Sequence, residues 1–272
     1  LHNYYGNTPP LTANDSSRFL AMNLDMERQI HEITAVCDYV RGLQPSPKRL
    51  WLSFDEWNIW YRARDVPFRD GKRQFAPPLL EEIYNLEDAL LTGGFLNSLI
   101  RQSDRVHLAC LAQIVNVIAP LMTNSTSVLR QTIYYPYAWA LKYARGKVLD
   151  LQVETETYPI KADGLRADFA RNEQVPFLDV IATYQSQDGR VCLLMLNRDL
   201  SSERELTVDW RDLKPVRVLA CETITGPDLK AANTFERPTL VTPRPLDAPK
   251  VGASMTFKLP PRSYTMVDLA VS

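Results

Sequence analysis

Residues 50–54, Leu-Trp-Leu-Ser-Phe, form an apolar run of strand length that is too hydrophobic to lie half exposed. Runs of this kind belong to parallel strands covered on both faces, so neighbouring segments must supply the cover. Upstream, Asp15-Ser16-Ser17 offers an N-cap, and Phe19, Met22, Met26, Ile30, Ile33, Val36, Cys37 and Val40 recur at spacings of three and four. That period predicts an amphipathic helix ending near Gly42, after which Pro45 and Pro47 break the chain. Downstream the unit repeats: a Pro-containing loop over 59–78, a helix from about Leu80 to Ser103, and a strand from Val106 to Gln113. A loop through Pro120 then leads to a helix from about Arg130 to Arg145, stopped by Gly146. Strand, loop and helix in repetition mean a parallel sheet with crossover helices, either doubly wound or a (β/α)8 barrel.

After Gly146 the texture changes. Residues 177–186, 189–197, 203–210, 217–224, 253–259 and 262–270 each read as a short strand, with Gly-, Pro- and Asp-rich punctuation between them. An antiparallel all-β domain, a sandwich, is expected there. The stretch 226–250, rich in proline and polar residues, reads as an extended surface connection. The domains expected are therefore 1–147, built of βα units, and 148–272, all β.

The chain has 272 residues, 45% hydrophobic and 23% charged, with a net charge of −1, and can bury a real core. Its 31 basic and 32 acidic side chains leave no electrostatic footprint for nucleic acid or an anionic membrane. No stretch approaches the roughly 18 apolar residues of a membrane helix. No signal peptide opens the chain, and the first residue is Leu rather than Met, which leaves the natural start open. Cys37, Cys110, Cys192 and Cys221 lie far apart without a CxxC pair. Buried reduced thiols in a cytoplasmic protein are expected, not a disulfide framework or a metal site.

The strongest chemical signal is Leu52-Ser53-Phe54-Asp55-Glu56-Trp57-Asn58, where two carboxylates and a tryptophan end a buried strand. In parallel α/β architectures that end is where ligands bind. Strand alternation should send Asp55 and Glu56 to opposite faces, one into a pocket and one to a neighbouring strand or loop. Pattern alone leaves equally open that both acids simply end the strand in solvent. His2-Asn3-Tyr4-Tyr5 is a second polar and aromatic cluster, able to bind hydroxyls and orient a carboxylate. Gln113 ends the next strand at the level of Glu56, as a ligand donor or a helix cap. Trp51, Trp57, Trp60 and Tyr61 crowd the acidic pair; core packing is the default for aromatics, and Trp60 could instead form a sugar platform. His31 and His107 read as structural.

Four segments together, LSFDEWNIWY (52–61), APPLLEEIYNLEDALL (76–91), CLAQIVNVIAP (110–120) and RQTIYYPY (130–137), closely resemble family 51 of the glycoside hydrolases, mostly α-L-arabinofuranosidases. The resemblance runs in order from Leu1 to about Gly146 and continues through the β-rich part. It implies a (β/α)8 TIM barrel followed by an antiparallel β-sandwich, with this chain as the last part of the barrel plus the sandwich. Glu56 then matches the nucleophile ending the seventh strand, His2 and Tyr4 the segment ending the sixth, Gln113 a sugar-contacting residue ending the eighth, and Trp60 an aromatic of the same pocket. The implied reaction is a double displacement releasing arabinofuranosyl residues from arabinose-containing oligo- or polysaccharides, without metal or other cofactor.

The family's acid/base is a glutamate ahead of the His-x-Tyr segment, where this chain begins. The resemblance thus implies an amino-terminal half of the barrel, carrying that glutamate, as an obligate partner. It also implies a homo-oligomer, a hexamer by analogy. An open half-barrel should expose apolar faces and sheet edges. Two rival readings are a related barrel hydrolase of β-1,4-glucan or xylan, and a non-catalytic carbohydrate-binding subunit.

Overall fold

The computed structural model describes residues 1–44, 46–61, 75, 80–160 and 174–272; most of the loop expected over 59–78 and the start of the 76–91 segment lie outside them. Strand β1 (His2–Tyr5) leads through two short helical turns, α1 (Pro9–Thr12) and α2 (Ser16–Phe19), into the long helix α3 (Met22–Leu43). β2 (Leu52–Ile59), α4 (Leu86–Arg101) and β3 (Val106–Leu111) follow, and the three strands form a parallel sheet in the order β1-β2-β3. The repetition of strand and helix read from the sequence is this sheet and its crossovers.

Three helical boundaries differ from expectation, each for a tertiary reason. Asp15 caps α2, not the long helix, accepting from the N–H groups of Ser17 and Arg18 at 2.8 and 3.4 Å. The helix then breaks because the Leu20 carbonyl is taken by Arg198 Nε at 2.9 Å, while Leu24 donates to Ala21. α4 starts six residues later than expected, at Leu86, behind a capping box in which Asn85 and Asp88 bond each other's backbone N–H. After β3, β4 (Leu121–Thr123) and β5 (Val128–Arg130) make a hairpin that absorbs the expected start of the last helix, α5 (Tyr134–Tyr143).

The remaining strands are β6 (Lys147–Val148), β7 (Thr157–Pro159), β8 (Gln174–Pro176), β9 (Leu178–Gln185), β10 (Arg190–Asn197), β11 (Arg204–Asp209), β12 (Pro215–Ile224), β13 (Arg244–Pro245), β14 (Ser254–Leu259) and β15 (Ser263–Val271). The expected strands appear within a few residues of their anticipated bounds. Four of them, with the unexpected short strands β6 and β13, form an antiparallel sheet ordered β13-β12-β15-β10-β9-β6, and β11 pairs with β14. β10 does not alternate, since both its faces are covered. Cys192, Leu194 and Leu196 join α4 in one apolar cluster, and Val191, Leu193 and Met195 meet Met255, Phe257 and Leu259 of β14 in another. β14 has one covered face and alternates exposed with buried.

Two expectations are corrected. The 226–250 connection is not merely superficial: Asn233 and Val241 are buried, Leu229 and Ala231 accept the first N–H groups of α4, and Lys230 pairs with the buried Glu87. The orphan donors of a helix start draw it in. Of the four free thiols only Cys192 is buried: Cys37 and Cys221 are half-buried, and Cys110 is exposed on β3, an edge strand among the described residues. β3 also exposes Leu108, and the carboxyl-terminal half of α3 exposes Val36, Tyr39, Val40 and Leu43, the last at 65%. No helix among the described residues is long and apolar enough to cross a membrane.

A buried charge network joins the two layers. Arg198 is 1% exposed and donates to Leu20 O, Pro176 O, Asn23 Oδ1 and Asp179 Oδ2 at 2.8–2.9 Å. Burial alone would raise the Asp179 pKa, but Arg198 and Arg101 outweigh it and hold the carboxyl below its ordinary range. Breaking a buried ion pair typically costs about 3–5 kcal/mol, so Asp179→Ala should lower unfolding free energy by that order in urea titrations. A second prediction concerns Gly93, where an added Cβ would come within 2.6 Å of the Tyr264 ring. Gly93→Ala should destabilise by about 1–3 kcal/mol through overpacking, although alanine is the better helix former.

Candidate active site

The register of β1 on β2 pairs His2 with Glu56 and Tyr4 with Asn58. Alternation brings His2 and Tyr4 to one face of β1, and both reach the same acid. The Tyr4 hydroxyl donates to Glu56 Oε2 at 2.6 Å, and His2 Nδ1 lies 3.4 Å from that oxygen. Burial first, and then the bond to Glu56, push the Tyr4 phenol well above its ordinary value, so it remains a donor. The Trp60 ring meets Tyr4 edge-on, with centroids 5.2 Å apart. The Glu56 side chain is still 44% exposed, leaving an oriented carboxylate open to a ligand.

Asp55 departs from the expectation of opposite faces. Its Oδ2 is 4.0 Å from His2 Nε2, so both acids flank one imidazole. The reason is a register shift of β2 against β3 between Phe54 and Trp57, which breaks the alternation at residues 55 and 56. The Ser53 hydroxyl donates to Asp55 and holds its carboxyl below the usual carboxylate range.

Of the five residues singled out from sequence, His2, Tyr4, Glu56 and Trp60 come together. Gln113 lies exposed just beyond the end of β3 and makes no hydrogen bond to those four among the described residues. Trp57 is buried against Phe95, as core packing would have it. Trp51 stacks on His107 at 4.3 Å near the opposite ends of the strands, away from the acids. Sequence reading missed the support behind Trp60. Tyr61 donates to the buried Asp88 at 2.5 Å, and the Tyr84 hydroxyl donates to Ile59 O at 2.7 Å. The NLED capping-box spelling at 85–88 could have drawn notice to Asp88.

Comparison with known proteins places this chain in a family. The family model described as the α-L-arabinofuranosidase C-terminal domain matches residues 55–263. An intracellular exo-α-(1→5)-L-arabinofuranosidase from Acetivibrio thermocellus is 37% identical over 239 residues, covering 86% of this chain and 45% of that protein. One of the same description from Halalkalibacterium halodurans is 38% identical over 234 residues, covering 86% and 44%. The solved structure of a family 51 α-L-arabinofuranosidase from Bifidobacterium longum superposes with a TM-score of 0.85 at 32% identity, covering 98% of this chain and 52% of that one. The chain belongs to the family 51 α-L-arabinofuranosidases and corresponds to their carboxyl-terminal half. It spans about half the length of the curated relatives it matches.

Burial, opposed by the bonds from Tyr61 and Asn85, pushes the Asp88 carboxyl up to about 7 from an ordinary 3.8. The folded state therefore holds this proton more tightly than the unfolded chain does. The resulting stabilisation is complete below the unfolded value and is lost as pH rises through the folded one. The melting temperature of Asp88→Asn, measured against the parent, should gain as pH rises from about 5 to about 8. A difference that stays constant over that interval would refute the assignment.

Proposed function

We propose that this chain is the nucleophile-bearing half of a retaining, exo-acting α-L-arabinofuranosidase. The observation that carries the reading is the Glu56 carboxylate, held by the Tyr4 hydroxyl at 2.6 Å beside His2 and still open to a ligand. A carboxylate oriented by a donor on one oxygen keeps its other lone pairs for attack on an anomeric carbon. Glu56 displaces the leaving oxygen to form a covalent arabinosyl ester, and water then releases the sugar with retained configuration. Tyr4 and His2 orient Glu56 and share its charge, Trp60 offers an apolar wall to the furanose, and Gln113 contacts a sugar hydroxyl from the neighbouring strand. The substrate class is an arabinose-containing oligo- or polysaccharide, in line with the names of the relatives from A. thermocellus and H. halodurans.

In this reading β1 is the end of the sixth strand, and β2 and β3 are the seventh and eighth strands, of a (β/α)8 barrel whose last portion is residues 1–147, and residues 148–272 are a β-sandwich. An amino-terminal half, on the same polypeptide or another, supplies the other strands and the acid/base glutamate, which must stand only about 5–5.5 Å from the nucleophile. Support comes from the places of β1 and β3 at the two ends of the three-stranded sheet among the described residues, the exposed apolar face of α3, and the half-length match to relatives. The relatives' description as intracellular favours a cytoplasmic place.

The test uses this chain together with the amino-terminal half. Glu56→Gln should lose turnover of an aryl α-L-arabinofuranoside by several orders of magnitude. With Glu56→Ala, added azide should form an arabinosyl azide of inverted configuration, because the small anion takes the place of the missing carboxylate. Undiminished turnover in Glu56→Gln would overturn the proposal, as would turnover by this chain alone.

A further inference from the structure

The ladder between β2 and β3 stops one rung early. Trp57 is in register with Leu111, and the Ala112 N–H donates to Trp57 O at 3.2 Å. The next rung of a regular parallel ladder would join the Ile59 N–H to the Ala112 carbonyl. The Asn58 carboxamide stands in that place: its Oδ1 accepts from the Ile59 N–H at 2.8 Å and its Nδ2 donates to Ala112 O at 2.7 Å. Its second amide hydrogen goes to Ile118 O at 2.5 Å.

We propose that Asn58 is a positioning residue, a satisfied polar spacer that splays the ends of β2 and β3 and sets Gln113 in place relative to Glu56. The Ala112 carbonyl belongs to the peptide bond leading into Gln113. The Ile118 carbonyl closes the same loop, so one buried side chain grips both ends of the segment that carries Gln113. Ile118 is a β-branched residue at φ 39°, a conformation that persists only where its surroundings hold it. Its N–H donates to Leu80 O at 2.6 Å, and its C=O is held by Asn58. Only a carboxamide fits this role. It presents two donors and an acceptor in one plane, one donor more than a peptide group has. Aspartate would face two carbonyls with a carboxylate, and an aliphatic residue would orphan three buried polar groups.

This inference rests on reading Glu56 and Gln113 as parts of one sugar pocket. The test is a double-mutant cycle in the enzyme made of this chain and its amino-terminal half, with an aryl α-L-arabinofuranoside as substrate. Asn58→Ala should lower kcat/KM on the order of 10- to 100-fold, as misplacement of a contacting group does. The loss should be divided between KM and kcat as it is in Gln113→Ala, and should largely vanish when Gln113 is already alanine. If Asn58→Ala does not fold, Asn58→Ser keeps one donor and should show the same non-additivity. Losses that multiply, or a folded Asn58 variant with kcat/KM within about twofold of the parent, would overturn the proposal. A parallel Glu56→Gln enzyme separates the two readings, since full turnover there would sink the assignment of the nucleophile instead.

Discussion

The rest of the structure depends on one buried guanidinium. Arg198 follows β10, yet its four hydrogen bonds run to Leu20 and Asn23 around the start of α3, to Pro176 at the end of β8, and to Asp179 in β9. Asn23 in turn donates to Asp179 and to Ser98 of α4, and Arg101 of α4 pairs with both Glu27 and Asp179. A charge buried this deeply is tolerable only when every donor finds a partner. The partners are spread over both layers, so the network ties the βα layer to the six-stranded sheet. Around it, Phe95, Leu194, Leu196, Tyr264 and Met266 supply the non-directional part of the attraction.

That seating reaches the candidate site through α4. The amino end of α4 is capped internally by Asn85 and Asp88 and externally by the 226–241 strap, whose carbonyls and Lys230 meet the helix start. Asp88 then anchors Tyr61, the residue after Trp60. The all-β part therefore supports the Trp60 segment of the candidate site at a distance, through a strap, a helix terminus and one tyrosine. The candidate site itself is set by local irregularity. A shift in the β2–β3 register turns Asp55 and Glu56 toward one histidine, and a side-chain amide replaces a rung beyond it.

Much of this was legible in the sequence. The period of three and four through Met22, Met26 and Ile30 marked α3, and the strands of the second half stood out because turn residues separate them. The acidic pair stood out at the carboxyl end of a buried run, but choosing Glu56 over a plain solvent-facing strand end needed the family likeness. His2, Tyr4 and Trp60 needed the family likeness, because a tyrosine or tryptophan near an acid is as often core as pocket. The early break before α3 was not legible, since the arginine that takes the Leu20 carbonyl lies far along the chain. The burial of the 226–250 stretch was hidden similarly, since its polar composition does not reveal that a helix start needs acceptors.

The sequence by itself determined the inventory: which segments are strands or helices, and that a pair of carboxylates ends the buried run. These follow from short-range periodicity and from capping and turn chemistry, which act within a few residues. Tertiary structure alone decided where α3 begins, that Asp55 and Glu56 share one imidazole, and that Asn58 fills a missing rung. Each of those depends on a donor meeting an acceptor brought up by another element, and pairings of that kind exist only once the chain has closed on itself.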